Sequence, residues 1–85
     1  MAYEIRVLPT ARREILRLPK RIQLRVGEAI AGLADDPRPS NCRKLTGQAS
    51  YYRIRVSDYR VLYEVRDREV LVLVVRVGHR RDVYR

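Results

Sequence analysis

The sequence predicts an α+β fold: a four-stranded, mainly antiparallel sheet with an N-terminal helical hairpin packed on one face. Three observations carry that expectation. Residues 51–65 alternate with period two around Ser57-Asp58 and read as a β-hairpin. Residues 70–77 are apolar on both faces apart from Arg76, the pattern of a central rather than an edge strand. Residues 11–34 carry apolar side chains at helical spacing.

Taken in order, Tyr3-Glu4-Ile5-Arg6-Val7 alternates and reads as an opening strand ended by Pro9. Thr10 is the expected N-cap of a helix from Ala11 to Leu18, with Ala11, Ile15 and Leu18 on one face. Pro19 stops that helix and fits the first turn of the next. The second helix runs to about Ala34, with Ile22, Val26, Ala29, Ile30 and Leu33 inward. Asp35-Asp36-Pro37-Arg38-Pro39 ends it, and the polar stretch to Ser50 reads as a loop.

The hairpin strands follow. If Ser57-Asp58 is a two-residue turn, Arg55 lies opposite Arg60 and Arg53 opposite Leu62. Tyr52, Ile54, Val56, Tyr59, Val61 and Tyr63 then face the helices, and Arg53, Arg55 and Arg60 face the other way. Arg66 to Glu69 makes a turn, Val70 to Val77 is the fourth strand, and Gly78 is expected to break it. A central fourth strand needs a neighbour on each side, and only the first strand is available for the second position. Eighty-five residues with 46% hydrophobic and 34% charged side chains fit one domain, residues 1–85, with one small core. That core is aliphatic, because the chain has no Phe or Trp and its aromatics are six tyrosines.

The formal net charge of +9 predicts salt-sensitive association with polyanions. Arginine supplies almost all of it; the lysines are Lys20 and Lys44. Planar guanidinium forks match phosphate oxygens in pairs and stack on bases, so the bias points to nucleic acid. Like charges directly opposed across a hairpin are destabilising. Arg55 facing Arg60 therefore suggests a site prepared for an anion, against the blander reading of a solvated sheet face. A single cysteine, Cys42, excludes an intrachain disulfide and fits a reducing cytoplasm. The longest apolar run, Val70 to Val75, is far too short to span a bilayer.

One histidine and one cysteine make no metal-ligand cluster, and no glycine-rich phosphate loop appears. Neither a metal nor a cofactor is expected. RNA offers a route without one, because its own 2′-hydroxyl can attack the adjacent phosphate. The protein then supplies a base, an acid for the departing 5′-oxygen, and positive charge for the transition state. Arg53, Arg55 and Arg60 offer charge, and His79 and Tyr84 offer proton transfer beside Arg80 and Arg81. A phenol is a weak base unaided; neighbouring cations favour its phenolate. Its ring could instead stack on a base. Arg76 reads as a snorkelling strand residue.

The order strand-helix-helix-three strands carries Lys44-Leu45-x-Gly47, Tyr52-Arg53-Ile54-Arg55-Val56, Asp58-Tyr59-Arg60-Val61-Leu62-Tyr63-Glu64-Val65 and Val77-Gly78-His79-Arg80-Arg81-Asp82-Val83-Tyr84. Over essentially its whole length the chain resembles the RelE family of bacterial and archaeal toxins. The resemblance implies a cytoplasmic, ribosome-dependent endoribonuclease that cuts mRNA in the ribosomal A site. It needs no metal and is held inactive by a cognate antitoxin. The family's catalytic positions fall on Arg53, Arg55, Arg60, Arg80 and Tyr84, with His79 as an alternative base and Arg43, Lys44 and Arg81 as RNA contacts. The strand-two pair is often lysine in the family. Arginine is a poor base because its pKa stays above ~12, so that role moves here to Tyr84 or His79. The rival readings are a ParE-type toxin, which shares the fold but binds DNA gyrase, and a basic RNA-binding module without chemistry.

Overall fold

A computed structural model describes residues 2–47 and 50–81 of the chain. Its elements are β1 (Glu4–Val7), α1 (Pro9–Leu16), α2 (Lys20–Gly32), β2 (Cys42–Lys44), β3 (Tyr51–Val56), β4 (Tyr59–Arg66), a 3₁₀ turn (Asp67–Glu69) and β5 (Leu71–His79). The α+β class and the helical hairpin are as expected. The sheet has five strands rather than four, in the order β1-β5-β4-β3-β2. The added strand, β2, lies in the stretch read as a loop. Three polar-flanked residues give too short a run for alternation to be visible. Pairing with β3 makes it a strand, with Cys42 opposite Ile54, Arg43 opposite Arg53 and Lys44 opposite Tyr52.

β5 is central as its two-sided apolar pattern requires. It pairs with β1 in parallel and with β4 antiparallel. The hairpin register also holds: Arg53 faces Leu62 and Arg55 faces Arg60. Ser57 adopts a left-handed φ of 56° in the connecting turn, the backbone sign that tight hairpin turns demand. Gly78 does not break β5, which continues to His79, with Gly78 itself paired to Arg60. The partner strand supplies the ladder there, so a missing side chain does not end it.

α1 begins at Pro9, not after Thr10. Leu8 is its N-cap, with no side-chain cap bond. A proline at the first helical position has no N–H to leave unsatisfied and a φ already set for the helix, and this replaces the threonine cap. Pro19 likewise stands at the N-cap of α2.

One buried cluster joins Ala11, Ile22, Val26, Ile30 and Leu33 of the helical layer to Ile54, Val56, Val61, Tyr63, Val65, Val72, Val74 and Val77 of the sheet. Ile15, Leu18, Ala29, Tyr52 and Tyr59 pack at its margin. Tyr63 is fully buried, and its hydroxyl donates to the Pro37 carbonyl at 2.8 Å. Leaving that hydroxyl unpaired would cost roughly 1–3 kcal/mol. Burial raises its pKa well above the ordinary phenol value, with nearby Cys42 adding to the shift. Among the described residues, no helix is long and apolar enough to cross a membrane.

Candidate nucleic-acid interface

Strand alternation puts Ile54, Val56, Val61 and Tyr63 against the helices. It turns Arg53, Arg55 and Arg60 to the opposite face. β2 adds Arg43, which stands directly across from Arg53. Four guanidinium groups thus make two directly opposed pairs, Arg43 with Arg53 and Arg55 with Arg60. Arg43, Arg53 and Arg55, with Ser40 and Asn41, line an open depression of about 480 Å³. Its three guanidinium groups suit an anionic rather than an apolar ligand.

The remaining sites divide. Lys44 pairs with Tyr52 and so alternates to the helix side. His79 pairs with Tyr59 and does the same, its ring edge-on to Tyr59 with 5.7 Å between centroids. The backbone N–H of Arg81 donates to His79 Nδ1 at 3.3 Å. The structure therefore does not bring His79 to the arginine face. The Arg80 N–H donates to the Asp58 carbonyl at 2.9 Å, fixing this residue beside the hairpin turn. Continuing the β4–β5 register places Arg80 on the side of Gly78 and Arg60. Tyr84 lies outside the described residues. Arg76 stands opposite Leu62, in the same row as Arg53, but its guanidinium is held by Glu14 of α1 at 2.9 Å and ties α1 to β5.

Two features of this face were not read from the sequence. Ser40 and Asn41 fall in the stretch whose sequence reads as a loop. The loop that carries them is fastened by long-range contacts: Arg38 makes a two-pronged contact with Asp67 at 2.8 and 3.2 Å. Its Nε donates to the Tyr52 hydroxyl at 3.0 Å, and its guanidinium lies 5.1 Å from the Tyr52 ring centroid. Tyr3 also donates to Asp67, at 2.7 Å. The Arg38 and Tyr3 hydrogen bonds hold the Asp67 carboxyl below the usual carboxylate range. These partners lie 14 to 64 residues apart in sequence, so no local pattern announces them.

A helical hairpin on one face of a mixed sheet with opposed arginines on the other is the arrangement that the resemblance to RelE toxins implies. Comparison with known proteins agrees. The profile described as "ParE toxin of type II toxin-antitoxin system, parDE" matches residues 5–84. Toxin RelG of Mycobacterium tuberculosis is 36% identical over 86 residues, covering 100% of this chain and 99% of that protein. Among solved structures, the toxin-antitoxin complex RelBE2 from Mycobacterium tuberculosis matches with a TM-score of 0.81 at 33% identity, over 94% of this chain and 100% of that one. The archaeal RelE-RelB complex from Pyrococcus horikoshii OT3 matches with a TM-score of 0.85 at 26% identity, over 98% and 100% of the two chains. The chain belongs to the RelE/ParE family of type II toxin-antitoxin toxins.

Proposed function

We propose that this toxin is a ribosome-dependent endoribonuclease that cuts mRNA in the ribosomal A site without a metal. The observation that supports it most is the double opposition of Arg43 with Arg53 and Arg55 with Arg60 on one sheet face. An anion bound across such a face relieves repulsion between opposed cations. In the reaction, the 2′-oxygen attacks the adjacent phosphorus and the bond from phosphorus to the 5′-oxygen breaks. The products are a 2′,3′-cyclic phosphate and a free 5′-hydroxyl. Arg53, Arg55 and Arg60 hold the scissile and flanking phosphates and neutralise the charge that builds in the transition state. Arg43 holds RNA outside the reacting bond, with Lys44 reaching it from the helix side around the β2 edge and Arg81 from beyond the end of β5. Arg80 stabilises the transition state or protonates the leaving oxygen. Tyr84 takes the 2′-proton or stacks on the substrate base.

The partners on this reading are mRNA, the ribosome and a cognate antitoxin, and the place of action is the cytoplasm. The relatives RelBE2 and archaeal RelE-RelB, solved as toxin-antitoxin complexes, support the antitoxin. The match to the ParE profile favours a second reading, a non-nuclease toxin that inhibits DNA gyrase. Purified protein added to translating ribosomes and, separately, to gyrase with relaxed plasmid separates them. Cut mRNA with normal supercoiling is expected. Blocked supercoiling with intact mRNA would establish the ParE-type reading instead.

A further inference from the structure

The arginine face also carries an aromatic ring. Tyr51 begins β3, and strand alternation turns it to the same side of the sheet as Arg53 and Arg55. The other described tyrosines are held by the fold. Tyr63 is buried and donates to the Pro37 carbonyl, and Tyr52 stacks on it with 6.0 Å between centroids. Tyr59 lies edge-on to His79, and Tyr3 donates to Asp67. Tyr51 is half-buried and lies outside the cluster that packs on the helices. Among the described residues, its side chain has neither a ring partner nor a hydrogen bond.

The neighbours of Tyr51 leave it compatible with an anionic chain. Across β4 it meets Glu64, whose carboxylate is paired with Arg66 at 3.3 Å. On the other side, the Leu45 N–H donates to the Tyr51 carbonyl at 2.9 Å and continues the β2–β3 register. Single-stranded nucleic acid is bound by a basic groove that follows its backbone and by aromatic rings on which its bases stack. Tyr51, Arg53 and Arg55 offer both along one strand, at steps of about 7 Å. Guanidinium groups fix phosphates and leave the bases unheld. Tyr51 stands about 13 Å along β3 from Arg55, away from the Arg55–Arg60 pair.

We propose that Tyr51 is a base-binding residue whose ring stacks on a base of single-stranded RNA beyond the reacting nucleotide. This rests on the reading of the arginine face as an RNA site. Every base has a π-face, so Tyr51 adds affinity rather than a choice of sequence.

The experiment measures binding of a short oligoadenylate and of an abasic phosphodiester chain of the same length, without ribosomes. Wild type and Tyr51→Phe should bind oligoadenylate alike and more tightly than the abasic chain. Tyr51→Ala should bind oligoadenylate about tenfold more weakly, the effect of one lost stacked base, and the abasic chain unchanged. The chain has no Trp, so Tyr51→Trp introduces a sole indole. Oligoadenylate should quench its fluorescence and the abasic chain should not. An unquenched indole overturns the proposal. So does Tyr51→Ala binding oligoadenylate as the wild type does, or losing as much affinity for the abasic chain. A wild type that binds oligoadenylate no better than the abasic chain overturns it too. If the binding and quenching results hold while the wild type leaves mRNA whole on ribosomes, the nuclease reading fails and the stacking site stands.

Discussion

Arg55 and Arg60 stand directly opposite each other across the β3–β4 hairpin, on the sheet face turned away from the helices. Opposed like charges cost about 0.2–1 kcal/mol. Arg55→Ala removes one of them from an exposed position. Its thermal midpoint is expected to equal or exceed that of the wild type, while mRNA cleavage falls about 10²–10³-fold, as for loss of one transition-state donor. Calorimetry and a single-turnover cleavage assay on the same preparation decide this. A clear drop in midpoint would mean that Arg55 holds the fold together.

The arginine face was legible because a two-residue turn fixes register, and register fixes which side chains share a face. The β1–β5 pairing was legible for a different reason: a strand apolar on both faces needs two neighbours, and only the first strand was left to supply the second. What escaped was long-range or very short. β2 has three residues and owes its existence to β3. The Arg38–Asp67 contact spans 29 residues. Local propensity also put the start of α1 after Thr10, where Pro9 proved the stronger signal.

The Arg38–Asp67 contact makes stability depend on acid. The folded-state pKa of Asp67 is depressed, chiefly by its hydrogen bonds from Arg38 and Tyr3. The stabilisation is therefore present above the unfolded pKa and is lost as pH falls through the folded value. Asp67→Asn should be less stable than the wild type near pH 7, with the gap closing as pH falls below the ordinary carboxylate range. Urea midpoints measured from pH 7 to pH 2 test this. A gap that stays constant across that range would show that the charge on Asp67 contributes nothing.

Val70 carries a left-handed φ of 52° at the end of the 3₁₀ turn, where its N–H donates to Asp67 and its carbonyl accepts from Glu4. For an L-residue this conformation costs roughly 1–2 kcal/mol, and a β-branched side chain makes it worse. Glycine removes the strain but adds roughly 0.5–1 kcal/mol of unfolded-state freedom. Val70→Gly should leave stability unchanged or raise it by up to about 1 kcal/mol. A loss larger than that by denaturant titration would mean that packing of the half-buried side chain outweighs the backbone strain.

Glu14 closes the sheet where β1 ends. Its carboxylate accepts the Val77 N–H at 2.8 Å and binds the Arg76 guanidinium at 2.9 Å. Without it, a strand N–H beneath α1 loses its partner. Glu14→Ala should cost about 1–3 kcal/mol, the range for a polar group left unsatisfied. Glu14→Gln keeps an acceptor for Val77 and loses only the ion pair, so it should cost less than half as much. Equal losses for the two variants in urea unfolding would assign the effect to the ion pair rather than to the strand N–H.

The proton-transfer groups give the sharpest test of mechanism. Attack by the 2′-hydroxyl requires that hydroxyl, so an mRNA with one 2′-deoxy nucleotide at the cut position should bind the ribosome and toxin but stay whole. Cleavage of that substrate at the same bond would refute the mechanism. His79 is poorly placed as the base. Its strand position is on the helix side, and its Nδ1 already receives the Arg81 N–H. His79→Gln should therefore change the single-turnover rate little and leave the acidic limb of its pH profile in place. Tyr84→Phe should slow that step if the phenol moves the proton, by about 10²-fold or more, the usual contribution of a positioned acid or base. A Tyr84→Phe rate near that of the wild type would leave the ring a stacking role. Normal rates for both variants would assign the protein's part of the chemistry to the arginines alone.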